Sequence, residues 1–274
     1  MSGKTVVLGK GYIAEKVLKN IDAANPDIHI AGLADTQDQI LRLNPDTIIN
    51  CIGYAGDNNV DDCEIKKDKT LTANVFVPLI LAEIALRHGI KLIHISSGCI
   101  YHYDHLKDAP IDEDKIPDFF ELYYSRTKIY SEQILKILSE KYPILIIRMR
   151  VPLDSEPHRR NILTKLIEYK KVIDLPNSVI YIPDFIKALN HLMKINATGI
   201  YNVVNRTPLR YPEILEVYKR YVPDFRYELI DFHTLNLTRT NAVLSTQKLE
   251  NSGFKIRDIH EVLEECVQNY VRYL

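Results

Sequence analysis

The first two-thirds of the chain alternate short apolar runs with longer amphipathic stretches. Runs at 5–8, 28–31, 47–51, 91–95 and 144–148 have few polar interruptions and read as strands. Between them, apolar positions recur at helical spacing near 13–20, 69–87 and 124–139, with a helical turn at 40–43. Near-continuous apolar strands separated by helices are what a parallel sheet covered on both faces requires. Right-handed crossovers then give a doubly wound parallel sheet of the α/β class. Ligands of such sheets sit outside the carboxyl ends of the strands. The loops after the strands at 5–8, 47–51 and 91–95 are therefore expected to share one edge.

From about Val151 the texture changes, as Pro152, Pro157, Pro176, Pro183 and Pro208 break the chain into short elements. This predicts a first domain over 1–150 and a smaller C-terminal substrate lobe over 151–274, with segments near 180–205 returning to the first. The proline- and acid-rich stretch 104–118 reads as a surface loop at the mouth of the site. The start leads straight into a strand instead of a signal peptide. No stretch approaches the roughly 18 apolar residues of a membrane span.

Composition narrows the picture only a little. Of 274 residues, 46% are hydrophobic and 26% charged, as in ordinary globular proteins. A formal net charge of −1 gives no field to recruit nucleic acid or an anionic membrane. Cys51, Cys63, Cys99 and Cys266 form no Cys-x-x-Cys pair and no disulfide framework. A reducing cytoplasm is the expected compartment, and no metal is called for.

Gly9-Lys10-Gly11-Tyr12-Ile13-Ala14 follows the first strand and opens the first helix as a G-x-G-x-x-A pattern. Gly9 permits the tight turn, Gly11 lets the backbone approach a pyrophosphate, and Ala14 allows close helix–sheet packing. The pattern predicts a Rossmann-type dinucleotide site built on Gly9, Lys10, Gly11, Tyr12 and Ile13. An NAD-selective site carries an acid at the end of its second strand. Here the run at 28–31 ends in apolar residues and Gly32, and the nearest later acid is Asp35. With Lys10 in the phosphate loop, this tilts the choice to NADPH, with NADH as the other candidate.

Tyr124-Ser125-Arg126-Thr127-Lys128 is a Tyr-x-x-x-Lys, and Ser97 lies 27 residues before its tyrosine at the end of a strand. Positions i and i+4 share a helix face, so Tyr124 and Lys128 stand together. A tyrosine hydroxyl, with an ordinary pKa of about 10, is a poor acid–base at neutral pH. A neighbouring ammonium and a positively charged nicotinamide both lower it. Ser97 supplies a second hydrogen bond to the substrate oxygen. Tyr123 has Thr127 at i+4 and is the weaker candidate. Cys99, two positions after Ser97, has two readings. It packs as a small hydrophobe, or it ionises near a protonated lysine and serves as a base.

Taken together, the glycine loop, Ser97 and Tyr124 with Lys128 resemble the extended short-chain dehydrogenase/reductase superfamily. Within it, the chain is similar to reductases of deoxysugar nucleotides such as dTDP-4-dehydrorhamnose reductase. The likeness narrows at Ser97-Gly98-Cys99-Ile100-Tyr101 and at Arg159-Arg160-Asn161-Ile162-Leu163-Thr164-Lys165. These segments look like the plant-type bifunctional UDP-4-keto-6-deoxyglucose 3,5-epimerase/4-reductase. The resemblance implies that UDP-4-keto-6-deoxy-D-glucose is epimerised and then reduced with NADPH to UDP-L-rhamnose. It implies Cys99 and Lys165 as the acid–base pair of the epimerisation. It also implies Asn161 and Arg239 as substrate contacts, Arg239 on the diphosphate and Asn161 with helix capping as its other role. Asn74 is implied to orient the active-site lysine through water. An upstream nucleotide-sugar 4,6-dehydratase would supply the UDP-sugar, and reductases of this kind form homodimers. Two other readings compete. One is a single-function reductase of an already epimerised dTDP sugar. The other is a non-catalytic, reductase-like regulatory subunit, against which the intact Ser97, Tyr124 and Lys128 argue.

Overall fold

The computed structural model describes residues 4–234 and 238–274, so the first three residues of the expected lead into a strand lie outside the described residues. The chain opens with β1 (Thr5–Leu8), α1 (Tyr12–Leu18), α2 (Leu33–Leu41) and β2 (Thr47–Asn50). Two short helices, α3 (Asp62–Ile65) and α4 (Lys67–Leu71), lead through a π-helical turn at Thr72–Phe76 into α5 (Val77–His88). Next come β3 (Lys91–Ser97), α6 (Tyr123–Ser139) and β4 (Ile144–Met149). β5 (Pro152–Leu153), α7 (Ile162–Tyr169), β6 (Lys171–Ile173), β7 (Ile180–Tyr181) and α8 (Ile182–Lys194) follow. The chain closes with β8 (Gly199–Asn202), α9 (Tyr211–Tyr221), β9 (Glu228–Ile230), α10 (Gln247–Asn251) and α11 (Ile259–Val271).

The chain divides into two compact units. The first comprises Met1–Ile100, Pro117–Arg148 and Leu192–Tyr201. Its five-stranded sheet has the order β1-β2-β3-β4-β8. β1 runs parallel to β2 and β2 to β3, with Leu8 opposite Asn50 and Asn50 opposite His94. The expected shared edge is therefore present, since all three strands end in the same direction. Every residue of β1 and β4 is buried, as strands covered on both faces must be. α5 packs on β2 and β3, and α6 packs on β3. Ile40, Leu81, Ile84, Leu92, Leu135 and Ile146 fill the core between them.

Three expectations need correction in this unit. Residues 28–31 form no strand; β1 instead has a one-residue parallel bridge from Val6 to Ala24. That bridge is held by Val7 N–H donating to Ala24 O at 2.9 Å and Ala24 N–H donating to Thr5 O at 3.0 Å. The helical turn at 40–43 belongs to a longer helix, α2, which begins at Leu33 behind Gly32. Lastly, the continuous run Lys67–His88 has 22 residues and a mean hydropathy of 1.5 over its most apolar window, enough to cross a membrane by those two measures. Half of that window is buried, and α5 packs on the sheet as core.

The second unit comprises Tyr101–Ile116, Met149–His191 and Asn202–Leu274. It holds two short parallel pairs, β5 with β7 and β6 with β9. α7, α9 and α11 close over them through Leu163, Leu166, Ile214, Leu215, Val262 and Val267. Asp258 caps α11, and its carboxylate and that of Glu261 each accept from the other's backbone N–H in a capping box, which fixes where that helix starts.

Candidate active site

The glycine loop turns directly off β1. Gly9 has φ +117°, and a Cβ there would lie 3.1 Å from the Cys51 carbonyl carbon, so any other residue would be strained in this turn. Gly11 precedes α1 with no side-chain cap, and nothing lies within 4 Å of where its Cβ would be. A ligand can therefore approach the Gly11 backbone closely, at the start of α1. Tyr12 and Ala14 are buried, Ile13 is half-buried, and Lys10 is exposed. Lys10 pairs with Asp27 at 2.7 Å. Asn25, which the sequence did not single out, donates from Nδ2 to Val7 O at 2.8 Å and Gly9 O at 3.0 Å. Its signal was hidden because the strand beside β1 was expected further along. Beyond the end of β2 lies a cavity of about 420 Å³, walled by Ile28, Ile30, Ile52, Lys69, Ala73 and Val77.

β3 runs three residues past the level of β2 and ends in Ser96 and Ser97, both buried. Ser97 Oγ accepts a hydrogen bond from Cys99 N–H at 3.1 Å. Ser125 Oγ donates to Cys99 O at 2.7 Å, tying this loop to the first turn of α6. The Cys99 side chain is half-buried.

On α6, Tyr124 is half-buried and Lys128, one turn on, is only 4% exposed. Burial pulls the Lys128 ammonium down to about 8, with the Glu132 carboxylate working against that shift. A Cβ on Gly53 would come to 3.3 Å from Lys128 Nζ and 3.4 Å from Asn74 Oδ1. Glycine at 53 thus leaves the amine open on that side, which no sequence pattern signalled. Asn74 sits in the π-helical turn, a distortion frequent at functional sites. Its Oδ1 accepts from Tyr54 N–H, and its Nδ2 donates to Tyr54 O and Thr127 Oγ1.

Beneath Lys128 the support is wholly buried. Glu132 accepts from Arg148 Nη2 at 2.7 Å and Nε at 3.1 Å, and from Ser96 Oγ at 3.0 Å. One carboxylate therefore braces α6 against both β3 and β4. His94 Nδ1 faces Asn50 Nδ2 at 3.1 Å, while Asn50 Oδ1 accepts from Ile52 N–H. Burial and the Lys128 charge hold the His94 pKa well below its usual range, so the ring is neutral at physiological pH.

The remaining expected residues lie in the second unit. Asn161 is fully buried and N-caps α7 by accepting from Leu163 N–H at 3.1 Å. It also accepts from Asp154 N–H and donates to Asp154 O and Glu156 O, so its amide is committed to its own loop. Lys165 stands one turn into α7 and is half-buried. Burial and the nearby Arg160, Arg239 and Arg159 lower its pKa, against the pull of Glu168. Arg239 is half-buried and donates to Thr238 O at 2.7 Å.

A parallel sheet with flanking helices and a glycine turn after its first strand defines the Rossmann-like class. Solved structures of extended short-chain dehydrogenase/reductases share it. The chain aligns with the dTDP-4-dehydrorhamnose reductase of Bacillus anthracis in complex with NADP at a TM-score of 0.83, with 18% identity over 99% of both chains. It aligns with the L780 UDP-rhamnose synthase of Acanthamoeba polyphaga mimivirus at a TM-score of 0.90, with 23% identity over 97% of this chain and 99% of that one. In sequence it is 33% identical to the bifunctional dTDP-4-dehydrorhamnose 3,5-epimerase/dTDP-4-dehydrorhamnose reductase of Arabidopsis thaliana, over 83% of this chain and 78% of the relative. It is 31% identical to a trifunctional UDP-glucose 4,6-dehydratase/3,5-epimerase/reductase of the same plant, spanning 82% of this chain but 34% of that longer protein. Residues 2–174 match the family described as the RmlD substrate binding domain. The chain belongs to that family, and its homologues are nucleotide-sugar reductases and epimerases.

Proposed function

We propose that the protein is a bifunctional 3,5-epimerase/4-reductase that converts UDP-4-keto-6-deoxy-D-glucose to UDP-L-rhamnose with NADPH. The observation that carries the reading is the buried Lys128, one turn from Tyr124 on a helix that Glu132 ties to the strand ending in Ser97. Its setting in a chain 33% identical to a bifunctional epimerase/reductase supplies the substrate class. In this reading the dinucleotide-binding domain is 1–150 and the substrate lobe chiefly 151–274.

The residues fit a dinucleotide. Gly11 leaves open space before a helix start with no side-chain cap, a mostly apolar cavity lies beyond β2, and glycine at 53 keeps a Cβ away from the Lys128 amine. Gly9, Lys10, Gly11, Tyr12 and Ile13 would hold the pyrophosphate side, with Tyr124 and Lys128 near the nicotinamide ribose. When bound, NADPH supplies the hydride for carbon 4.

The chain's own groups do the rest. Hydrogen bonds from Ser97 and Tyr124 to the 4-keto oxygen make the protons on carbons 3 and 5 acidic, because the enolate charge settles on that oxygen. Cys99 and Lys165 divide the acid and base roles, one removing each proton and the other returning one to the opposite face. Burial and the neighbouring arginines lower the Lys165 pKa, which eases loss of its proton. During reduction Tyr124 gives its proton to the carbon-4 oxygen, and the Lys128 charge stabilises the resulting phenolate. Arg239 contacts the diphosphate. Asn161 serves as the cap that sets the start of α7, and with it the place of Lys165.

We place the enzyme in the cytoplasm, downstream of a nucleotide-sugar 4,6-dehydratase that supplies its ketone. A homodimer is supported by an exposed apolar stripe on α6, formed by Tyr130, Ile134 and Ile137. Incubation with UDP-4-keto-6-deoxyglucose and NADPH in deuterated water, followed by proton NMR, tests the activity. Deuterium at carbons 3 and 5 of a UDP-rhamnose product is expected. NADPH loss only with an already epimerised dTDP sugar would mean a single-function reductase. No loss of NADPH absorbance with either sugar would mean a non-catalytic protein.

A further inference from the structure

We propose that Asp27 sets the preference between NADPH and NADH by competing with a ribose 2′-phosphate for Lys10. The inference deepens the dinucleotide reading above and rests on it.

Coenzyme choice in this class of fold is made just past the second strand, where an acid accepts the 2′-hydroxyl of NADH and a basic residue takes the 2′-phosphate of NADPH. In this chain the second strand is reduced to the Ala24 bridge with β1. The selecting position therefore falls at 25–27 instead of after 31. Asn25 occupies the first place, with its amide spent on the carbonyls of Val7 and Gly9, which staples this segment to the glycine loop. Two residues on comes Asp27, a carboxylate 18 positions beyond Gly9, and immediately after it Ile28, His29 and Ile30 form a wall of the cavity.

Lys10 and Asp27 meet at 2.7 Å with side chains 65% and 84% exposed. Such a pair is held weakly and exchanges partners readily. A 2′-phosphate, carrying close to two negative charges, would draw Lys10 away and leave Asp27 as an unpaired like charge beside it. With NADH no such cost arises, since the pair stays intact and the carboxylate accepts a 2′-hydroxyl. Lys10 thus favours the phosphate and Asp27 opposes it, which makes the protein a dual-coenzyme reductase with a modest preference.

The test is calorimetric titration of the protein with NADPH and with NADH separately, in wild type, Asp27→Asn and Lys10→Met. Both positions are exposed, so neither change threatens the fold. Asp27→Asn is expected to tighten NADPH about fivefold or more and to weaken NADH several-fold, so that the ratio of the two constants moves by roughly tenfold. Lys10→Met is expected to move that ratio the other way, weakening NADPH about fivefold more than NADH, because both nucleotides lose the lysine beside the pyrophosphate but only NADPH also loses it from a 2′-phosphate. If wild type binds both nucleotides and Asp27→Asn leaves their ratio within about twofold, the proposal for Asp27 is wrong while the dinucleotide reading stands. If wild type binds neither, the dinucleotide reading itself fails and takes this inference with it.

Discussion

Replacing Lys128 by methionine is predicted to stabilise the fold at neutral pH while abolishing reduction. The Lys128 ammonium titrates at about 8 in the folded protein against 10.5 unperturbed, because it is buried. At about 1.4 kcal/mol per unit, keeping the charge in the fold costs about 3 kcal/mol. Below pH 8 both folded and unfolded chains carry the proton, so the whole cost is present. Between 8 and 10.5 the folded chain has shed its proton while the unfolded chain keeps it, and the cost fades. Above 10.5 neither form is charged and no cost remains. Methionine conserves the linear shape and removes the charge, and Glu132 keeps its bonds from Arg148 and Ser96. Urea denaturation of both proteins should therefore show the variant more stable by about 2–3 kcal/mol at about pH 7, with the gain lost near pH 10.5. In wild type, NADPH-dependent reduction should fall as pH rises past about 8, where the charge supporting Tyr124 disappears. A variant that is less stable at pH 7, or a gain that does not shrink at alkaline pH, would refute the picture of Lys128 as a desolvated cation.

Three further changes probe the same unit. Cys99→Ala should slow deuterium entry at carbons 3 and 5 by about 100-fold or more, yet still reduce an already epimerised 4-keto sugar nucleotide, as NMR and NADPH absorbance would record. Glu132→Gln leaves Arg148 buried without its charge partner and should cost about 3–5 kcal/mol in chemical denaturation; a Glu132→Leu/Arg148→Met double variant should recover much of that loss, and failure to recover would deny a buried pair. Gly9→Ala meets both the positive φ and the Cys51 backbone, so about 1–3 kcal/mol should be lost; an unchanged melting temperature would mean that the turn relaxes freely.

The strands β1, β2, β3 and β4 were legible because each is a nearly unbroken apolar run, and burial on both faces leaves such a run no helical alternative. The same logic misled at residues 28–31. Ile28 and Ile30 look like a buried strand but form none: Ile30 belongs to the core, Ile28 packs against it, and both wall a cavity. On the side away from β2, β1 bridges to Ala24, whose pairing rests on backbone hydrogen bonds and carries no side-chain signature. The π-helical turn around Asn74 was equally silent, since an extra residue in a helical turn leaves the composition unchanged. Motif spacing put Tyr124 and Lys128 on one helix face. It could not tell that Lys128 would be dry, or that Glu132 would bond to Arg148 and Ser96, 16 and 36 residues away. Those partners meet only because the sheet sets β3 and β4 side by side beneath α6. Motifs persist in sequence because the reacting atoms demand particular groups at fixed spacing. A lysine's pKa has no such signature, since burial sets it and burial comes from residues far apart in the chain. What the fold adds to the Tyr-x-x-x-Lys pattern is therefore a titration point, set by the burial of Lys128 and opposed by the Glu132 carboxylate.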